Sequence, residues 1–450
     1  MNISVFGCGH IGLIIGSCLS TIGHKTICAD LSEPKVNALN QGQLPFYEPH
    51  LIDVVNQGFR GNCLVFTTDV ARAADASDAI FVCVDTHQLE NGEIDLSAIE
   101  SVARVIADNS RSLKFVVVAK TVPAKTGQQL ARMLAVYAGK SGVKFRLAVN
   151  PPFLPKGAAV ERFLHPDRIL IGVEDKTSEQ QLKQIYGPIL EQRFRCPVHP
   201  GGCPSHEPPR FVVTTIESAE LIKQASNCFL ALKISYANVI ADICESFGAN
   251  VDDVLRAMGL DPRIRPEFLS PGLGFGGRRL LEDIRTVIRL AERAEIDSTI
   301  LREVERINRE RIDRFWEKAC RELWTIRDKK VSVFGLAYKA GTDDVSFSPA
   351  LELVRRLLAE GAHVRAYDPE AMENAQRVLP SVCYCSDPYA AASGADAVII
   401  ATDWNIFQGL DWERIREVVA RPLVLDARNQ LDPRRMMALG FEYRSFGRPG

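Results

Sequence analysis

The feature that most limits this chain is an alternation of short, continuous apolar runs with amphipathic stretches, present at both ends and absent from the middle. Asn2–Phe6, Lys25–Ala29, Ala79–Val84, Lys114–Ala119 and Phe145–Val149 read as buried strands, with helical periodicity between them. Strand and helix in alternation imply right-handed βαβ units on a parallel sheet. The alternation returns with Lys330–Phe334, His363–Tyr367, Ala397–Thr402 and Leu423–Leu425, and with helices over Glu352–Glu360 and Trp412–Ala420. In between, Glu217–Phe247, Val251–Met258 and Glu282–Arg311 read as helices, and the Gly-rich segment Ser270–Gly277 must be a loop. Rising charge through Arg302–Lys330 predicts a solvated helix and a linker. The expected fold is α/β: two Rossmann-like doubly wound domains joined by a central helical region, with boundaries at 1–210, 211–325 and 326–450.

A chain of 450 residues buries enough apolar surface to do without disulfides. Lys plus Arg number 54 and Asp plus Glu 56, a net charge of −2 that offers no bulk attraction to nucleic acid or an anionic membrane. No run of about 18 apolar residues suggests a membrane span. The N-terminus enters a strand at once, which leaves no room for a signal peptide. The 12 cysteines are scattered, and Cys28, Cys63, Cys83, Cys228 and Cys244 sit in apolar runs as small core hydrophobes. The expected setting is a reducing cytoplasm, with no disulfide framework.

Gly7-Cys8-Gly9-His10-Ile11-Gly12 follows a strand and opens an apolar helix. Gly7 suits a tight turn, Gly9 lets backbone approach a pyrophosphate, and Gly12 lets helix and strand pack closely. The phosphates would rest on the free N–H groups of the helix start. Asp30 ends the next strand, 18 residues after Gly12, where a carboxylate accepts from ribose hydroxyls and repels a 2′-phosphate. NAD is therefore the expected cofactor.

With these residues in place, the sequence resembles the UDP-glucose/GDP-mannose dehydrogenase family over nearly its whole length. The resemblance rests on Tyr47-Glu-Pro49, Asn91–Ser97, Thr121-Val-Pro123, Glu217–Asn227, Asp261–Ile264, Gly272–Gly277, Phe334–Asp344, Tyr367-Asp-Pro369 and Asp426–Asn429. It implies a cytoplasmic homodimer in polysaccharide biosynthesis, with an NAD-binding domain, a central dimerisation region and a C-terminal nucleotide-sugar domain. It also implies oxidation of a sugar C6 alcohol to the acid in two NAD-linked steps, through a cysteine thiohemiacetal and thioester. On this resemblance Lys223 and Asn227, one helical turn apart, manage the alkoxide and a water. Asp283 supports them, and Thr121 serves the cofactor side. Arg263, Phe268, Phe275, Tyr338, Lys339 and Arg428 match nucleotide-sugar contacts, with cations on diphosphate and aromatics on the base.

The reacting positions depart from the family. Its Gly-Gly-Ser-Cys-Phe-Pro-Lys-Asp reads here Gly276-Gly277-Arg278-Arg279-Leu280-Leu281-Glu282-Asp283, so Arg279 stands at the nucleophile position. A guanidinium stays protonated and cannot attack a carbonyl; with Arg278 it would instead hold an anionic substrate. Asn150-Pro151-Pro152-Phe153-Leu154-Pro155-Lys156-Gly157 has lost both family glutamates, and Asp344-Val345-Ser346-Phe347-Ser348-Pro349 has lost a cofactor-side arginine.

A second constellation lies in Arg195–Arg210, where Cys196, His199, Cys203 and His206 follow the spacing C-x2-H-x3-C-x2-H around a Pro-Gly-Gly turn. Two thiolates and two imidazoles suit tetrahedral Zn²⁺; the bland alternative is a Pro-rich surface loop with incidental ligands. His165 and His87 are further candidate contributors. The expected function is a divergent NAD-dependent nucleotide-sugar dehydrogenase that interconverts alcohol and carbonyl. The alternatives are a catalytically silent nucleotide-sugar-binding protein and metal-dependent chemistry at the Cys/His loop.

Overall fold

The computed structural model describes residues 1–86, 94–140, 142–199, 201–203 and 207–449. Two compact units, Met1–Ala225 and Ser226–Gly450, divide the chain.

The first unit holds β1 (Asn2–Phe6), β2 (Lys25–Ala29), β3 (Leu64–Thr67), β4 (Ala79–Val82), β5 (Lys114–Val118), β6 (Phe145–Val149), β7 (Arg168–Val173) and β8 (Arg210–Thr214). They form one sheet in the order β3-β2-β1-β4-β5-β6-β7-β8, parallel throughout except between β6 and β7. Every residue of β4 and β5 is buried, as expected of strands covered on both faces. Phe6 pairs with Ala29 on one side and Val82 on the other, so the Gly7 turn, Asp30 and Cys83 meet where the strand order reverses. Helix α1 (His10–Thr21) rises from this switch point, α2 (Thr126–Tyr137) follows β5, and α3 (Ala159–Leu164) precedes β7.

Helix α4 (Ile216–Phe247) carries the chain from the first unit into the second. The second unit continues with α5 (Arg278–Arg293), α6 (Thr299–Leu323) and α7 (Pro349–Ala359). Its sheet comprises β9 (Lys330–Phe334), β10 (His363–Tyr367), β11 (Cys383–Tyr384), β12 (Ala397–Ile400), β13 (Leu423–Asp426) and β14 (Glu442–Ser445). The order β11-β10-β9-β12-β13-β14, all parallel, repeats the doubly wound pattern of the first.

Five strands, β3, β7, β8, β11 and β14, are absent from the sequence reading. Four of them lie at sheet edges, where one-sided burial needs no continuous apolar run; β7 follows a helix of six residues, too short to signal a crossover. The expected helix Glu282–Arg311 is two helices, α5 and α6. Glu295 takes a positive φ of 56° after α5, and the Asp297 carboxylate accepts from Thr299 N (2.9 Å) to restart the chain as α6.

Helix α4 is long and apolar enough to cross a membrane, with a window of mean hydropathy 1.2. Yet it buries the polar side chains of Glu220, Lys223, Gln224, Asn227, Ser235 and Asn238, and 44% of that apolar window is buried, so one face of the helix packs inside the protein. Phe229, Tyr236 and Ile243, seven residues apart, are exposed by 61%, 47% and 48%, an apolar stripe that a lone chain leaves in water.

Glu220 joins α4 to the start of α2. Its carboxylate oxygens accept from Lys125 N (2.7 Å) and Gly127 N (2.8 Å). Burial outweighs these two hydrogen bonds and, with Glu217 nearby, raises its pKa from 4.5 to about 7. The folded state therefore holds this proton more tightly than the unfolded chain, so the Glu220 contribution to stability declines between pH 4.5 and about 7 and is flat above. Melting midpoints measured across this window should show the decline in the wild type. Glu220→Gln should flatten it and cost about 1–3 kcal/mol, because one N–H loses its acceptor. An undiminished slope in the variant would contradict the assignment.

Candidate active site

In the first unit the dinucleotide fingerprint closes tightly. Gly7 turns at φ 97°, and a Cβ placed on Gly12 would lie 1.8 Å from the Gly7 carbonyl oxygen and 3.0 Å from Cys83 Cβ. Only a bare Cα lets α1 press this closely on β1, which brings its free N–H groups to the sheet edge. Gly9 lies against the Asp85 carboxylate, which pairs with Lys120 (2.7 Å). Asp30 ends β2 as expected. It accepts from Cys8 N (2.8 Å) and Ser32 N (3.0 Å) and pairs with Lys35 Nζ (2.9 Å). Burial pushes its pKa up, but the Lys35 pair and the two N–H donors prevail and hold it below the usual carboxylate range. An ionised carboxylate at this position fits a ribose acceptor. Thr121, half-buried, sits three residues past β5. The turn, the helix start and Asp30 together fit NAD.

Glu48, within Tyr47-Glu-Pro49, organises the segment that follows β6. Its buried carboxylate accepts from Gly157 N (2.8 Å) and Ala159 N (2.7 Å) at the start of α3 and pairs with His10 Nε2 (3.0 Å). Asn150 donates to Leu170 O (2.8 Å) and accepts from Tyr186 Oη (2.5 Å). Between these anchors Phe153 presents its ring to Lys223 Nζ at 4.7 Å and to the Arg168 guanidinium at 4.1 Å. Phe153 as a seat for Lys223 has no signal in the sequence beyond its place in a family motif.

In the second unit, Asn227 Nδ2 donates to Asp283 Oδ2 at 2.5 Å, and both residues are buried. The thiol beside this pair is Cys228, packed in an apolar cluster with Phe275 and Ile284. Burial first, and the Asp283 charge second, push its pKa up to about 12, so it stays a protonated core thiol. Arg279 is half-buried in the first turn of α5, which Arg278 opens.

The loop before α5 is held on all sides. Gly272 N donates to Asn238 Oδ1 (2.8 Å), Phe275 N to Asn308 Oδ1 (2.7 Å) and Gly277 N to Ser346 O (3.1 Å). Arg428 donates to the carbonyls of Ala401 (2.9 Å), Gly274 (3.1 Å) and Tyr338 (3.3 Å), so part of this expected ligand contact is spent tying the loop to the sheet edge. Tyr338 and Lys339 follow β9 and are half-buried. Arg263 is exposed and paired with Asp261 (2.6 Å), and Phe268 is 45% exposed. Asp368, after β10, accepts from Leu336 N (2.6 Å) and Ala337 N (3.0 Å) as Asp30 does from Cys8 N. Asn308 lies inside a charged helical run that hides its role, whereas Asp368 stands in the motif Tyr367-Asp-Pro369.

Of the expected metal ligands, Cys196, His199 and Cys203 come together, joined by His165. His206 and His87 lie outside the described residues.

Family models match all three parts of the chain: the NAD binding domain of the UDP-glucose/GDP-mannose dehydrogenase family over residues 1–190, its central domain over 217–310 and its UDP binding domain over 332–433. The chain belongs to this family. It is 37% identical to the UDP-glucose 6-dehydrogenase of Rickettsia felis over 99% of this chain and 96% of that protein. Identity to the UDP-glucose 6-dehydrogenase of Rhizobium meliloti is also 37%, over the full length of both. Among solved structures, a UDP-glucose dehydrogenase from Pyrobaculum islandicum superposes with a TM-score of 0.85 at 34% identity, covering 96% of each chain. The chain is thus a nucleotide-sugar dehydrogenase-family protein with an NAD-binding domain.

Gly12→Ala should weaken NADH binding, read by calorimetric titration, by at least about tenfold, or about 1.4 kcal/mol. Unchanged affinity would show that α1 need not approach β1 this closely.

Proposed function

We propose that this chain interconverts an alcohol and a carbonyl on a UDP-linked or related nucleotide sugar in one two-electron step, and does not continue to the acid through a thioester. The observation that carries this reading is the side chain at the family's nucleophile position. Arg279 has no lone pair to offer a carbonyl, and the neighbouring Cys228 thiol is held protonated in apolar packing. A second oxidation therefore lacks its covalent intermediate.

The first oxidation needs less. NAD, when bound, supplies the hydride acceptor. Lys223, as the neutral amine, takes the hydroxyl proton, directly or through a water, and becomes the ammonium as the C–H hydride leaves. Asn227 orders that water, and Asp283 fixes the Asn227 amide, consistent with their 2.5 Å hydrogen bond. Thr121 serves the cofactor side. Arg263, Lys339, Arg428 and Arg279 meet the anionic part of the substrate, and Phe268, Phe275 and Tyr338 its base and sugar. The active form is a homodimer, a reading that the exposed stripe of Phe229, Tyr236 and Ile243 supports.

NADH formation from NAD with a panel of UDP- and GDP-linked sugars tests the reading. At least one sugar should reduce NAD, and Lys223→Met should lower kcat by about 10²–10⁴-fold with little change in KM. Binding of UDP without NAD reduction by any sugar would instead establish a silent binding protein.

A further inference from the structure

The first unit carries a cluster that the dehydrogenase reading leaves unused. His165 leaves the end of α3, and Cys196, His199 and Cys203 follow on a single loop. One donor atom from each of the four lies within 4.8 Å of all the others. His165 Nε2 is 3.2 Å from Cys196 Sγ and 3.5 Å from Cys203 Sγ, and Cys196 Sγ is 3.7 Å from His199 Nδ1. A tetrahedron with metal–sulfur bonds near 2.3 Å and metal–nitrogen bonds near 2.0–2.1 Å has edges of roughly 3.3–3.8 Å, which these separations match.

The surroundings also favour a built site. Cys196 is buried in the apolar core of the unit, with Val198 packed beside it. The His165 ring packs against Phe194 at 5.8 Å and the His199 ring at 5.1 Å. Gly202, at φ 106°, turns the loop back toward Cys203, and its N–H donates to His199 O (3.0 Å). The loop thus holds three donors at a spacing of two and three residues around a fourth, His165, that lies 31 residues before Cys196 in the chain. A surface loop with incidental ligands has no reason to converge on a distant imidazole.

We infer that His165, Cys196, His199 and Cys203 form a closed structural Zn²⁺ site that fastens the Cys196–Cys203 loop to the end of α3. Two thiolates and two imidazoles are a matched set for zinc, and four protein ligands leave no position for a substrate or activated water. The site acts on the fold and takes no part in hydride transfer. His165 thus fills the position that sequence spacing alone assigns to His206.

The test is elemental analysis of the full-length protein, expressed with zinc and purified without chelator. About one zinc per chain is expected in the wild type and in His206→Ala, and less than about 0.2 in His165→Ala and Cys203→Ser. Cobalt substituted into the wild-type protein should show the intense visible bands of a tetrahedral thiolate site, and a strong chelator should lower the melting midpoint and speed alkylation of Cys203. If a variant fails to fold, the wild-type cobalt spectrum and the chelator response still decide the matter. A metal-free wild type, a six-coordinate cobalt spectrum, or zinc retained by His165→Ala and lost by His206→Ala would overturn the assignment.

Discussion

A polar side chain withdrawn from water must find a partner, and α4 withdraws several along one helix. An unmet buried donor or acceptor costs about 1–3 kcal/mol, so each partner constrains the chain that supplies it. In the first unit Glu220 takes the N–H groups at the start of α2, and Gln224 donates to Val122 O (3.2 Å) beside Thr121. In the second, Asn227 takes Asp283, and Asn238 takes Gly272 N. Within the first unit the start of α2, and within the second unit the second turn of α5 and the Gly-rich loop, are thereby held by residues of this helix. Lys223, on the same helix, rests on Phe153, whose segment is anchored by Glu48 and Asn150.

This division of labour explains how reacting positions can change while the fold does not. The loop into α5 is fixed by Asn238, Asn308, Arg428 and the Ser346 carbonyl, none of which depends on the side chain at position 279. Asp344 likewise keeps its turn by accepting from Ser346 N (2.8 Å), and Ser348 caps α7, whatever the residue between them. On the function proposed above, a guanidinium at position 279 changes the chemistry while these contacts keep the scaffold.

The central strands and the fingerprint were legible in the sequence because burial on both faces writes a continuous apolar run, and because a tight strand–helix turn demands glycine at Gly7 and Gly12. Edge strands such as β11 and β14 carry no such run. The break between α5 and α6 rests on one positive φ at Glu295, which leaves no periodic trace. Tertiary partnerships were the least legible. The pairing of Lys223 with Phe153, the grip of Asn308 on the loop and the approach of His165 to Cys196 all join residues far apart in the chain. Spacing singled out Cys196, His199 and Cys203, and the structure brings His165 to them; His206 lies outside the described residues.

The central claim is that a chain with Arg279 in place of a thiol stops after one oxidation. Counting NADH formed per sugar consumed, with mass analysis of the product, tests it most directly. One NADH per sugar and a product lighter by two hydrogens are the predicted outcome; two NADH per sugar and a carboxylate product would contradict it.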